Sequence, residues 1–417
     1  MSNFTVIEHT SPCQYVREYW HGARSDDATL HLAVKEYRPK EPVAESEDAI
    51  TIISSHGNGF PKECYEALWD ELLNASHGFR IRSIWIADIA NQGQSYVKNK
   101  DRLGDDPGWL DHSRDLLLMI NTFRDRMKAP IVGIGHSMGC SHLAGLSVMH
   151  PRLLHSLVLI EPVLQDFAPP GPNAAMFSSM RRETWDSRAK AEAQMSKNGF
   201  FKAMDPRALK AYLKNALTDT EDGGVILTTP KAQEAWTYVR PIFEPLPDER
   251  DRETLEASRR ERLLNPHVTP FSRLSEPVFT LPEMGALIAS LPHIRPRTLF
   301  MYGEYSHIAS EETREFHSSV VGTGHGGNGG KDDGGVEVLE VVEASHLCPF
   351  EKPQAIAVDV SNWLGKEMTR WKVERDFWVK RDTGKSKNNR TELSEKWLKE
   401  VKKPADLMRP VKKAAKL

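Results

Sequence analysis

With 417 residues, 39% of them hydrophobic and 27% charged, the chain can bury a full core and suits one large α/β domain with an insertion better than two unrelated domains. Its 55 Lys and Arg against 58 Asp and Glu leave a net charge of −3, which excludes a nucleic-acid binder over the chain as a whole. Cys13, Cys64, Cys140 and Cys348 lie far apart without a C-x-x-C pair, no run approaches the roughly 18 apolar residues of a membrane span, and the N-terminus MSNFTVIEHTSP lacks a basic patch followed by an apolar run. Zinc sites, disulfide frameworks, membrane spans and secretion are therefore all disfavoured.

Apolar runs and turn signals alternate through the first 164 residues. Residues 29–37 (TLHLAVKEY) alternate as a half-exposed strand, and residues 49–54 (AITIIS) form a buried one that runs into His56-Gly57-Asn58-Gly59. A helix is predicted over 61–75, with Pro61 at its start where a missing N–H costs nothing. A strand at 80–87 (RIRSIWIA) and a helix at 111–127 follow. Next come a strand-to-helix transition at 131–143 (IVGIGHSMGCSHL), with its helix expected from Ser141 to His150, and a strand at 153–160 (LLHSLVLI). Strands alternating with helices mean crossover units and a mostly parallel sheet with helices on both faces. Residues 165–295 change to amphipathic helices and Pro-rich turns without clear strands, a helical cap inserted into the sheet domain. The sheet pattern returns over 296–366, with strands at 297–302 (RTLFMY) and 336–342 (VEVLEVV) and a helix near 353–366. The glycine-rich run 322–335 precedes a strand and opens no helix, so it reads as a mobile loop rather than a phosphate cradle. Residues 367–417 form a basic extension: from Lys366 to Leu417 there are 17 Lys and Arg against 8 Asp and Glu, a net of +9 that leaves −12 for the rest. That extension reads as a solvated surface segment.

The chemistry centres on Gly135-His136-Ser137-Met138-Gly139. A Gly-x-Ser-x-Gly match arises by chance on the order of 0.1 times in a chain of this length, so its context has to carry the argument. An apolar strand precedes the serine and a small-residue helix follows it, as a nucleophile elbow requires: the turn lifts the hydroxyl off the sheet edge, and the helix N-terminus favours negative charge. Ser137 is thus a candidate nucleophile. A nucleophilic serine needs a base, an orienting carboxylate and oxyanion donors. The loop after the last strand brings the chain back over the elbow and carries His346, the candidate base. For the acid there are two choices. Glu161 closes the apolar strand after the elbow helix, where a buried charge is costly unless paired, and Glu304 follows the strand RTLFMY; Glu161 is preferred. The expected oxyanion donors are the backbone N–H groups of Met138 and Asn58, with Gly59 as the alternative to Asn58. No metal or redox cofactor is required. The cap's Phe167, Met176, Phe177, Trp185, Phe200, Phe201, Trp236 and Phe243 suit a lipophilic acyl chain, although most are expected to be core.

The segments HGNGFPKE, WIADIANQGQS, GDDPGWLDHSRDLL, GIGHSMG, HPRLLHSLVLIEPV, RRETW and SHLCPFEKP together resemble the fungal peroxisomal α/β-hydrolases. That group takes in a yeast peroxisomal lipase, hydrolases of host-selective toxin biosynthesis and the acyl-CoA hydrolase of mycophenolic acid biosynthesis. The resemblance spans nearly the whole chain. It implies an α/β-hydrolase fold and a serine hydrolase that cleaves an acyl-CoA thioester in peroxisomes, in secondary metabolite or toxin biosynthesis. The phosphates of a CoA substrate have either Arg181 and Arg182 or the basic C-terminal extension as candidate contacts. A peroxisomal carboxylester hydrolase or lipase is the alternative; a catalytically inactive hydrolase-fold binding protein is the alternative of another class. In the mycophenolic-type enzyme the acid is an aspartate at the place of Glu161, which here is longer by one methylene. The last three residues, Ala415-Lys416-Leu417, differ by one small residue from the Ser-Lys-Leu address read by the peroxisomal import receptor, which is the expected protein partner. A homodimer stays open.

Overall fold

Ile50–Ser55 (β3) and Ile131–His136 (β5) are buried along their whole length, as central strands covered on both faces must be. In the computed structural model, which describes residues 3–44, 48–165, 173–241, 253, 256, 279–382 and 391–403, they sit side by side in an eight-stranded sheet. The other strands are Phe4–Pro12 (β1), His31–Pro39 (β2), Ile81–Ala87 (β4), Ser156–Ile160 (β6), Arg297–Gly303 and Val336–Val341. Between β6 and Arg297–Gly303 lie five short strands: Thr184–Trp185 (β7), Leu217–Asp219 (β8), Val225–Leu227 (β9), Arg240–Pro241 (β10) and Phe279–Thr280 (β11). Arg297–Gly303 is therefore β12 and Val336–Val341 is β13, and the large sheet runs β1-β2-β4-β3-β5-β6-β12-β13. Pairing is antiparallel for β1/β2 and β2/β4 and parallel from β4 onward.

Register decides what meets at the carboxyl edge of this sheet. His136 pairs with Ile160, and Ile160 pairs with Met301. The next residues on β5 and β6 are Ser137 and Glu161, so both emerge at one level, beside the end of β12. Open parallel sheets place their reactive groups at this edge.

Helices Glu66–Ala75 (α1), Gly93–Asn99 (α2), Trp109–Thr122 (α3) and Met138–Met149 (α4) cover the sheet. The first begins as a 3-10 turn at Lys62–Tyr65, four residues before its α-helical part. Helix α4 starts at Met138 rather than Ser141, because the turn feeds directly into it and leaves no room for a loop. Strand β1 and helix α2 were not predicted. The first hides in an edge strand that alternates weakly, and the second in the polar sequence GQSYVKN.

The described part of the insertion holds helices Ala174–Met180 (α5), Arg188–Met195 (α6), Gly199–Lys202 (α7), Pro206–Asn215 (α8) and Lys231–Tyr238 (α9). It also contains a three-stranded sheet, β7-β9-β8, where no strands were expected. Strands of two or three residues are too short to show a period-two pattern. The glycine-rich run 322–335 is not an open loop. It folds into hydrogen-bonded turns in which Gly322, Gly326, Gly329, Gly330 and Gly334 take positive φ, and the Asn328 amide ties Gly330 N–H to Pro296 O.

The chain divides into two compact units, Met1–Met368 and Thr369–Leu417. The helix expected near 353–366 continues to Asp382. In the second unit the described helices are the end of that helix and Glu395–Glu400, with the Arg375 guanidinium 4.8 Å from the Trp371 ring centre. The expected targeting residues Ala415, Lys416 and Leu417 lie outside the described residues. Among the described residues no helix is long and apolar enough to cross a membrane.

Candidate active site

Ser137 sits between β5 and α4 with φ 55° and ψ −123°, a conformation that L-residues avoid. The flanking glycines make the turn possible. A Cβ on Gly139 would lie 2.1 Å from Ser55 O, and one on Gly135 would lie 2.8 Å from Gly139 O. The turn is held by Ser137 N–H donating to Ile160 O (2.9 Å) and Cys140 N–H donating to Ser137 O (3.0 Å). The Ser137 side chain therefore stands at the sheet edge with 8% of the residue exposed.

His346 lies 209 residues away on the loop after β13, yet its Nε2 is 3.0 Å from Ser137 Oγ. Its other nitrogen, Nδ1, is 3.0 Å from Glu161 Oε2. A carboxylate accepts only, so Nδ1 carries the proton and Nε2 faces the serine as an acceptor. The serine hydroxyl donates to it. The imidazole remains 19% exposed, whereas the Glu161 side chain is fully buried.

A buried carboxylate needs several donors, and Glu161 has them. Gly303 N–H donates to Oε1 (2.6 Å), and the Ser306 hydroxyl joins His346 in donating to Oε2. Its backbone also takes positive φ, 52°. Its N–H donates to Met301 O (2.8 Å), so the chain turns sharply off β6 just where the carboxylate must point at the histidine. Glu304, the alternative acid, is exposed and accepts Glu343 N–H at 2.7 Å, which makes it a turn brace at the surface.

The loop after β3 passes directly over the elbow: a Cβ on Gly57 would lie 3.2 Å from Ser137 Cβ. His56 Nδ1–H donates to Gly57 O (2.9 Å), and His56 Nε2 accepts from Ile89 N–H (3.0 Å). Gly57 C=O and Asn58 N–H belong to one planar peptide and point in opposite directions. Holding the carbonyl on His56 therefore turns Asn58 N–H away from that ring. Among the described residues, neither Asn58 N–H nor Met138 N–H has a hydrogen-bond acceptor, and Met138 is the first residue of its helix, where such groups stay open. The Gly59 N–H is occupied, donating to Gln92 Oε1 at 2.9 Å.

The Asn58 side chain ties this loop to the cap. Its Nδ2 donates to Glu234 O on α9 (3.0 Å), and its Oδ1 accepts from Gln92 Nε2. On the same helix Glu234 receives the Ser178 hydroxyl and pairs with Arg181 at 2.5 Å. Arg181 is thus committed inside the cap, and Arg182 donates to Thr184 O and packs on Trp185. Phe60, next in the loop, meets Phe350 at 4.8 Å, Tyr212 at 6.0 Å and Phe200 at 6.2 Å between ring centres, an aromatic cluster joining this loop to the cap and to the segment after His346. Of the cap's expected lining residues, Trp185 and Phe201 are core; Met176, Phe177, Phe200 and Trp236 are exposed, and Phe167 and Phe243 lie outside the described residues.

Ser306, Gln92 and His136 were missed by sequence reasoning. Ser306 had a faint signal, standing where an aspartate would often be. Among the described residues no three His, Cys, Asp or Glu side chains gather as metal ligands.

The sequence model of the alpha/beta hydrolase family matches residues 52–360. A type I acyl-CoA thioesterase, mpaH, of Penicillium brevicompactum is 35% identical over 426 residues, covering 96% of this chain and 95% of its own. An abhydrolase domain-containing protein of Alternaria alternata, ACTT2, is 26% identical over 66% of this chain and 98% of its own. The peroxisomal membrane protein LPX1 of Saccharomyces cerevisiae is 29% identical over 48% of this chain and 58% of its own. The crystal structure of that yeast peroxisomal α/β-hydrolase superposes with a TM-score of 0.67 at 18% identity, over 93% of this chain and all of the other.

Proposed function

The chain belongs to the α/β-hydrolase family and is a hydrolase of ester or thioester bonds, and from that premise we propose that it is a serine acyl-CoA thioesterase working through Ser137, His346 and Glu161. The observation that carries this reading is the continuous row from Ser137 Oγ to His346 Nε2 and from His346 Nδ1 to Glu161 Oε2, 3.0 Å at each step.

His346 takes the hydroxyl proton as Ser137 Oγ attacks the acyl carbonyl, and the imidazolium so formed is balanced by Glu161. The tetrahedral oxyanion is received by Met138 N–H and Asn58 N–H, aimed beforehand by the helix start and by the His56–Gly57 contact. His346 then gives its proton to the departing thiolate. It next removes a proton from water as the water attacks the acyl-serine, and returns that proton to Ser137 Oγ as the second tetrahedral intermediate collapses to the free acid. The thioester rather than the oxygen ester is favoured by the 35% identical relative, an acyl-CoA thioesterase matched along nearly its whole length.

Peroxisomal residence, with import through Ala415-Lys416-Leu417, is supported by that C-terminal tripeptide and by the yeast relative's description. A role in secondary metabolism rests on resemblance to the mycophenolic-type hydrolase and the toxin-pathway hydrolases.

The test is turnover of a panel of acyl-CoAs beside neutral esters, with Ser137→Ala alongside. Faster acyl-CoA cleavage, abolished in the variant, is the expected result. Cleavage of neutral esters alone would favour a carboxylester hydrolase or lipase, and undiminished turnover by the variant would remove the nucleophile.

A further inference from the structure

Between the two loops that supply the base and an oxyanion donor lies a buried polar pair the proposed chemistry does not use. His136, the residue before the nucleophile, is 1% exposed, and Tyr65, at the start of α1, is 2% exposed. Three hydrogen bonds run through them. Gly57 N–H donates to Tyr65 Oη at 2.9 Å, Tyr65 Oη and His136 Nδ1 are 2.7 Å apart, and His136 Nε2 is 2.9 Å from the backbone carbonyl of His346.

The ends of this row dictate its proton order. A backbone N–H can only donate and a backbone carbonyl can only accept. Tyr65 Oη accepts from Gly57, so the phenol proton is left to go to His136 Nδ1. His136 Nδ1 is then the bare nitrogen, and Nε2 must carry the proton that reaches His346 O. Only this order satisfies all three contacts. Desolvation and the neighbouring His346 push the His136 pKa down to about 3, so the ring stays neutral, as the row requires. A second ring proton would turn Nδ1 into a donor facing a hydroxyl already committed as one.

We propose that His136 is a positioning residue: with Tyr65 it locks the His346 backbone to the Gly57–Asn58 loop, so that base and oxyanion donor are held in one frame. The inference rests on the reading of Ser137, His346 and Asn58 given above. Packing supports it. Phe350, just past the base, stands edge-on to both rings, 4.9 Å from Tyr65 and 5.3 Å from His136 between centres.

The test compares Tyr65→Phe, His136→Leu, their double variant and His136→Gln with the wild type and Ser137→Ala, reading kcat, KM and thermal midpoint on one acyl-CoA. A displacement near 1 Å costs about 100-fold in favourable cases. The single variants are therefore expected to lose roughly 10- to 100-fold in kcat with KM within about twofold. The double variant should be no worse than the poorer single, because one row can be cut only once. His136→Gln, which can still offer an N–H to His346 O, should recover most of the loss. Tyr65→Phe keeps the ring packed and stays informative if His136→Leu fails to fold. Wild-type kcat in Tyr65→Phe, multiplicative losses in the double variant, or a Gln variant as slow as Leu would overturn the proposal while Ser137→Ala stays inactive. Full turnover by Ser137→Ala would instead fell the underlying site reading, and this inference with it.

Discussion

Ser137 and Glu161 leave neighbouring parallel strands at the same register level, and both do so with positive φ, 55° and 52°. Each strained turn aims a side chain that the straight strand would have pointed elsewhere. One histidine bridges the two. The strain is sustained by packing around the turns: β5 has no room for a Cβ at Gly135, and the Glu161 carboxylate is held by Gly303 and Ser306.

Glu161→Gln replaces an acceptor-only group with an amide that can present N–H to His346 Nδ1. The imidazole tautomer is then free to reverse, and kcat should fall by about 10⁴-fold, as for the equivalent change in a serine protease triad. Glu161→Asp should fall less, since it keeps the charge but is too short to hold both Gly303 N–H and His346. Steady-state kinetics on the two variants checks the order; equal rates for Gln and wild type would remove Glu161 from the chemistry.

Gly57→Ala places a methyl 3.2 Å from Ser137 Cβ and 3.1 Å from His136 Nδ1. The loop must retreat by a few tenths of an ångström and carry Asn58 N–H with it. Losing one oxyanion donor costs about 10²- to 10³-fold in kcat, and a loss of that order with a native thermal midpoint is expected here. Gly139→Ala should behave differently: its methyl would meet Ser55 O at 2.1 Å, so soluble yield and thermal midpoint fall before kinetics can be read.

Much of the candidate site's geometry was legible in the sequence, because its parts follow from topology. An apolar strand, a Gly-flanked serine and a small-residue helix predict the turn at Ser137, and a histidine after the last strand has few other places to go. Glu161 stood out as a charge closing an apolar strand. What holds these groups was not legible. Ser306, Gln92 and Tyr65 are ordinary polar residues whose partners lie 145, 34 and 71 positions away, and no local pattern records such contacts. The small β7-β9-β8 sheet escaped for a related reason, its strands being set by tertiary pairing rather than by periodicity.

His56, His112, His136, His142 and His317 are buried and held neutral by desolvation, His136 and His142 at about 3 and His317 at about 4 against an ordinary 6.5. Below pH 6.5 the unfolded chain binds protons that the folded one refuses. The stability these groups confer is thus complete above that pH and is lost as pH falls; for His136, His142 and His317 the loss runs toward 3, 3 and 4, by about 1 kcal/mol per pH unit for each ring. Asp111, pushed up to about 6 mainly by burial, acts in the opposite sense, so a difference between variants is the sharper readout. In His142→Leu, the fall of unfolding free energy between pH 6.5 and 5, from urea titrations, should be shallower than in wild type by about 1 kcal/mol per unit. Parallel curves would contradict it.

The most direct measurement is covalent capture of the nucleophile. The protein is treated with a serine-directed organophosphonate and digested, and the adduct is located by peptide mass. A single adduct on Ser137 is expected, formed in step with loss of acyl-CoA turnover and slowed at least 100-fold in His346→Ala, since His346 Nε2 lies 3.0 Å from Ser137 Oγ. An adduct on another residue, or an unlabelled Ser137 in protein whose turnover has been abolished by the reagent, would contradict it.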